Sequence, residues 1–227
     1  QTANVTVIGD LLDEADETLT VSLTNPTGSG VAVSAANGSA VGTIVDDENG
    51  PQITIADITV SEDGGNAVFT ISLDAVSGLD VSVDIATADG SAIDGNDYTA
   101  SSQNGFTIPA GQTSATFSVP LIDNNINEAS EGFTATISNP NNGTLGNQTT
   151  ATATVTDDDA VAISIAPTSV TEGNSGNSTN AALLVTLDRA SEQTISVRYS
   201  SGNGTAVSGE DYNLSLIHIS EPTRPLS

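Results

Sequence analysis

The sequence contains no cysteine, which removes disulfide staples and thiolate zinc sites together. Tryptophan is absent and aromatic residues make up 3% of the chain, so paired carboxylates here lack the sugar-stacking surface expected of a glycosidase. Lys and Arg number 3 against 29 Asp and Glu, a formal charge of -26 that opposes phosphate backbones and anionic membrane surfaces. Nucleic acid is therefore not an expected partner. No run of apolar residues is long enough for a membrane helix, so direct membrane insertion of this segment is not expected either. Gln1 is not followed by a basic and then apolar leader, and the chain reads as starting partway through a repeat.

What is present is a pattern written twice. Ile8-Gly9-Asp10-Leu11-Leu12-Asp13-Glu14-Ala15-Asp16-Glu17 returns as Ile122-Asp123-Asn124-Asn125-Ile126-Asn127-Glu128-Ala129-Ser130-Glu131. Each copy leads into a strand-like stretch, an Asn-Pro turn and an acidic cluster, Asp46-Asp47-Glu48 or Asp157-Asp158-Asp159. The offset is 128 − 14 = 114 for the glutamates and 140 − 26 = 114 for the prolines, then 158 − 47 = 111 after a shorter loop. A second comparison aligns Ser61-Glu62 with Thr171-Glu172 at 172 − 62 = 110, and Asp97-Tyr98 with Asp211-Tyr212 at 211 − 97 = 114. A unit of about 110 residues has the size of a domain, not of a solenoid repeat. Residues 1–49 read as the second half of one repeat, 51–159 as a complete repeat and 161–214 as the first half of a third. The last stretch, 215–227, carries the only His, His218, and resembles a translated adapter sequence; it is set apart as a non-native tail.

Within the complete repeat, short runs alternate apolar and polar residues with the period of half-buried strands. Val81, Val83 and Ile85 form one such run, and Phe133, Ala135 and Ile137 another. The first strand changes phase between Ile55 and Ile58, where a kink or edge bulge is expected. About seven strands without a convincing helix predict an all-β fold, a string of immunoglobulin-like antiparallel sandwiches.

The acidic residues fall at strand ends. Loops of a seven-strand sandwich alternate between its poles, so Glu62, Asp97, Asp123, Glu128 and the run Asp157, Asp158 and Asp159 can meet at one of them. Two unit charges about 6 Å apart at an effective dielectric near 20 repel by roughly 3 kcal/mol, so a cluster of this kind is either spread out or filled. Calcium suits it, because flexible loops supply many oxygens more readily to its irregular shell than to the octahedron of magnesium. Glu17 and Glu131 read as solvent-facing residues at strand starts and stay outside the ligand set.

Val60-Ser61-Glu62, Gly90-Ser91-Ala92 through Asp97-Tyr98, Ile122-Asp123 with Glu128, Asn139-Pro140 and Asp157-Asp158-Asp159 together resemble the Calx-beta family over nearly all of residues 4–213. The resemblance implies that Glu62, Asp97, Asp123, Glu128, Asp157, Asp158 and Asp159 are calcium ligands. The family's paired Asp in the long loop is here Asp123-Asn124, so Asn124 stands where a carboxylate would add charge, and affinity or ion count is expected to fall. The flanking repeats hold half-sites: Asp10, Glu14, Asp46, Asp47 and Glu48 in one, Glu172 and Asp211 in the other.

No nucleophile elbow, His-Glu-x-x-His or phosphate-binding loop occurs, and no enzymatic activity is expected. The resemblance implies a calcium-binding structural module of a secreted or cell-surface protein, in contact with neighbouring repeats and a cell-surface or matrix partner. Three alternatives stay open: a calcium-sensing regulatory domain, a metal-free acidic spacer, and an accessory module of an exported enzyme.

Overall fold

The computed structural model describes residues 2–213 and, for the backbone alone, 216–221. Two strands come first, β1 (Glu17–Ser22) and β2 (Ser39–Ile44), paired antiparallel. The central repeat follows with β3 (Gln52–Ile55), β4 (Ile58–Ser61), a single 3-10 turn at Glu62–Gly64, β5 (Asn66–Leu73), β6 (Val81–Ala88), β7 (Ser102–Ile108), β8 (Ser114–Pro120), β9 (Glu131–Asn141), β10 (Thr144–Leu145) and β11 (Thr150–Thr156). Beyond it lie β12 (Ile163–Ile165), β13 (Val185–Leu187), β14 (Ile195–Ser200) and β15 (Leu216–Glu221).

The central strands form two sheets, one in the order β10-β3-β5-β8 and one in the order β4-β11-β9-β6-β7. The predicted kink in the first strand is a change of sheet: β3 pairs with β5, whereas β4 runs parallel to β11 in the opposite sheet. The phase shift follows from this, since Ile53 and Ile55 face inward from one sheet and Ile58 and Val60 from the other. Asp57 holds the crossover, its carboxylate accepting from Thr152 N–H at 2.8 Å and from the Gln148 amide at 3.0 Å. Counting β3 and β4 as one strand and leaving out the two-residue β10 gives the seven strands expected.

The inward residues fuse into one core. Phe133 is fully buried, stacks on Tyr98 with ring centroids 4.1 Å apart, and meets Phe69 edge-on at 5.9 Å. The Asn139-Pro140 pair is not a turn: β9 continues through it, and Asn139 takes a left-handed φ of 48°. Asn25, 114 positions earlier, adopts the same φ of 48°.

The flanking strands repeat the central pairings. Glu17 faces Ile44 in β1 and β2 as Glu131 faces Val155 in β9 and β11, and Ile163 faces Leu187 as Ile53 faces Leu73. The stretch set apart from sequence contains β15, which pairs with β14 where β7 pairs with β6. Its alternating Leu216-Ile217-His218-Ile219 suits an extended backbone. The side chain of His218 lies outside the described residues.

Candidate metal centre

One pole of the central sandwich is built from the ends of β4, β8 and β11, the start of β9, and the loop between β6 and β7. Three of its carboxylates prolong the inward stripes of their strands. Glu62 follows Ile58 and Val60, Asp157 follows Ala153 and Val155, and Glu131 precedes Phe133 and Ala135 at the same alternation. The stripe that buries apolar groups in the core therefore delivers carboxylates where the strands reach the pole. Asp97 is positioned by its own turn, its Oδ2 accepting from Ile93 N–H at 2.6 Å, and the adjacent Tyr98 ring anchors that turn in the core.

Glu62, Asp97, Glu128, Glu131 and Asp157 line a cavity of about 10 Å³, together with Ala129 and Val155. That is room for about one water-sized sphere. Among the described residues no three of these groups converge closely enough to hold a metal ion as they stand. They surround a common space without closing on one point.

The electrostatics record this crowding. Burial raises the carboxyl of Glu62 above its ordinary value, as do the charges of Glu128, Asp123 and Asp157, while the Asn124 N–H opposes the rise. Glu128 is raised by burial, with Glu192, Asp97 and Asp157 adding to it. Glu131 is pushed furthest, to about 7, by burial and by the charge and hydrogen bond of Asp97. Glu131 does not face solvent as its place at a strand start suggests: it is half-buried and lines the cavity, and its shared alternation with Phe133 is the signal that points there.

Asn124 serves the pole differently from a carboxylate. Its side-chain amide donates to Glu62 Oε1 at 2.8 Å and to Glu128 Oε2 at 3.1 Å, while its oxygen accepts from Ile126 N–H at 2.6 Å. It thus bridges two glutamates with a neutral donor. Asp123 and Asp158 are exposed and do not line the cavity. Asp159 pairs with Arg189.

The suitability of this donor set for a cation rests on the oxygens left without partners. Among the described residues, Asp157 Oδ1 and Asp159 Oδ2 are buried side-chain atoms with no hydrogen-bond partner. A buried carboxylate oxygen is costly unless something positive or hydrogen-bearing meets it. All five cavity carboxylates offer hard oxygen donors, which suits calcium.

The first pole is sketched in the flanking repeat. Asp46 Oδ1 accepts from Glu14 N–H at 3.2 Å, and Glu14 is raised by burial and by Asp10, Glu17, Asp46 and Glu48. Asp10 accepts from Leu12 N–H at 2.8 Å, and Asp47 N–H donates to Glu48. In the third repeat Glu172 is exposed and Asp211 holds Val207 N–H at 2.8 Å, repeating the Asp97 turn.

The Calx-beta domain family matches residues 1–48, 49–159 and 156–219. No curated protein matches the chain. Among solved structures, the apo form of the Calx CBD1 domain is 23% identical, with a TM-score of 0.45, and is aligned over 49% of this chain and 100% of its own. CBD12 from CALX1.2 is 22% identical with a TM-score of 0.45, covering 76% of this chain and 72% of that one. The calcium binding domain CBD12 of CALX1.1 is 21% identical with a TM-score of 0.45, over 76% and 71%. With matches spanning almost all of its length, and with the repeat spacing and two-sheet sandwich described above, the chain belongs to the Calx-beta family.

Proposed function

We propose that this chain is a calcium-binding structural module, a tandem of Calx-beta sandwiches in which each carboxylate pole holds calcium beside the next repeat. The observation behind this reading is the cavity shared by Glu62, Asp97, Glu128, Glu131 and Asp157, with Asp157 Oδ1 buried and unpartnered. Those five residues would hold the ion, with Asp123, Asp158 and Asp159 close along the chain. Bound calcium supplies positive charge that offsets their mutual repulsion, so binding and folding are linked. At free calcium about 100 times the dissociation constant the linkage adds about 2.7 kcal/mol to a repeat's stability.

The module acts mechanically, stiffening a segment of a secreted or cell-surface protein that presents adhesive domains to a cell-surface or matrix partner. The composition supports this setting: without disulfides, metal is the available staple. The pole acts by binding, not by catalysis.

The test is calorimetric titration of the full chain with calcium and with magnesium at matched ionic strength, repeated for Glu62→Gln. Calcium-specific heat that weakens at least tenfold in affinity in the variant supports the site. Indistinguishable responses to calcium, magnesium and sodium would leave the acidic spacer as the function. A large change in overall dimensions across micromolar calcium, followed by X-ray scattering, would replace the structural role with a sensing one.

A further inference from the structure

The two junctions between repeats are built alike at residues that repeat with the same period. At the first, Gly78 N–H donates to Asp13 O at 2.9 Å, and the Ser77 hydroxyl reaches Asp13 Oδ2 at 3.0 Å. At the second, Glu192 N–H donates to Asn127 O at 2.9 Å, and the Ser191 hydroxyl reaches Asn127 Oδ1 at 2.9 Å. The offsets agree on both sides of the contact, 127 − 13 = 114 and 191 − 77 = 114. Each serine also accepts from the N–H two residues on, Leu79 or Gln193, at 3.0 Å. The hydroxyl is thereby oriented with its proton toward the incoming loop.

The receiving serine sits at the pole opposite the carboxylates, in the turn between β5 and β6. Ser77 is 1% exposed, and its carbonyl accepts from Gly111 N–H at 2.8 Å, which ties it to the turn between β7 and β8. The incoming residue directly precedes the pole glutamate, Glu14 or Glu128. Contact therefore runs from the carboxylate pole of one repeat to the turn pole of the next, a head-to-tail interface that propagates along a chain.

Other contacts differ between the junctions. Arg189 pairs with Asp159 at the second, whereas the corresponding residues at the first are Ala75 and Glu48, which cannot form an ion pair. The Gln193 amide donates to Glu128 O, and its counterpart Leu79 has no side-chain donor. What the two junctions share is the serine and the loop residue that it holds. At the second junction Asn127 also donates to Asp157 Oδ2 at 3.2 Å, connecting the contact to the carboxylate pole.

We propose that Ser77 and Ser191 are sockets of a repeat-to-repeat clasp, each receiving the Asp or Asn that precedes the pole glutamate of the preceding repeat and setting the orientation of successive sandwiches. The clasp does not depend on the metal reading, and it is tested in chelator. The full chain, free of native cysteine, carries spin labels at Thr116→Cys and Ser196→Cys, and the inter-label distance distribution is recorded by double electron-electron resonance. A single narrow distribution is expected. Ser191→Ala raises the undocked fraction about five-fold, the ratio for one lost hydrogen bond, with an unchanged far-UV circular dichroism spectrum. Asn127→Ala acts at least as strongly, since it also gives up the bond to Asp157, and the double variant adds little to Asn127→Ala, because the Ser191–Asn127 contact is already lost there. Ser77→Ala, read with labels at Thr20→Cys and Thr116→Cys, broadens the first junction in the same way. Distributions unchanged in Ser191→Ala and Ser77→Ala, or single effects that simply add in the double variant, overturn the clasp.

Discussion

The flanking repeats carry some of the central repeat's strands, with β1–β2 and β12–β13 in the central registers, yet among the described residues the core lies in the center. Every one of the 4 phenylalanines lies between Phe69 and Phe133, and among the described residues every buried apolar side chain of the core lies between Ile53 and Val155. In the flanks, Val41 is 67% exposed, Leu11 91% and Leu184 64%. Strand pairing is a local matter: β1 finds β2 with a connection of under twenty residues, and alternation sets the register. Burial is not local, because a half-buried sheet needs a second sheet across from it. The comparison separates what a hairpin supplies from what a sandwich supplies.

The largest break in that comparison comes from the core. Phe133→Ala is expected to cost about 3–5 kcal/mol, since it removes a fully buried ring with two aromatic neighbours. Val41→Ala, on the corresponding pair of strands in the flank, stays within about 0.5 kcal/mol. Hydrogen exchange along β9 and β1 of the full chain reads both; comparable loss of protection from the two substitutions would mean that the flank is as well packed as the center.

A smaller effect comes from the pole. In chelator, carboxyls raised above the usual 4.5 contribute stability while protonated, and that contribution is lost as pH rises through their folded values. The melting temperature of the central repeat should therefore fall between pH 5 and about 7, the value to which Glu131 is raised. Saturating calcium should flatten or invert the slope, and Glu131→Gln should reduce it. A melting temperature that rises through this window in chelator would contradict the crowded pole.

The smallest effect concerns a hydrogen bond made twice. Tyr98 donates to Asp89 Oδ1 at 2.7 Å and Tyr212 to Asn203 Oδ1 at 2.8 Å, again 114 residues apart. The first tyrosine is buried, and its hydroxyl is raised to about 12 by burial and the Asp89 carboxylate. Tyr98→Phe should cost about 1–2 kcal/mol in urea unfolding, and Tyr212→Phe less, because its ring is only half-buried. Equal losses would show that the third repeat holds its tyrosine as firmly as the second.

Much of this was legible residue by residue. The offset of 114 that aligns Glu14 with Glu128 also aligns the left-handed Asn25 with Asn139, because the same local sequence meets the same backbone demand. The phase change after Ile55 was visible, but its meaning as a sheet crossover was not, since one strand's alternation cannot name the sheet it pairs with. The setting of Glu131 is hidden from the sequence for a related reason. A Glu at a strand start is usually solvated, and the approach of Asp97 from a turn more than thirty residues away leaves that position half-buried beside another carboxylate. Asn124 could be seen as a missing carboxylate, but its role as a donor between Glu62 and Glu128 required both glutamates in space.

By itself the sequence determined the repeat period, the strands and their inward faces, and the placing of acid at strand ends, because alternation, turn residues and charge are written along the chain. Only the tertiary structure decided which carboxylates share a cavity, and that the loop before Glu14 and Glu128 meets a serine of the next repeat. Both depend on segments distant in the chain being brought within a few ångströms, and such contacts form only once two sheets and two repeats have packed together.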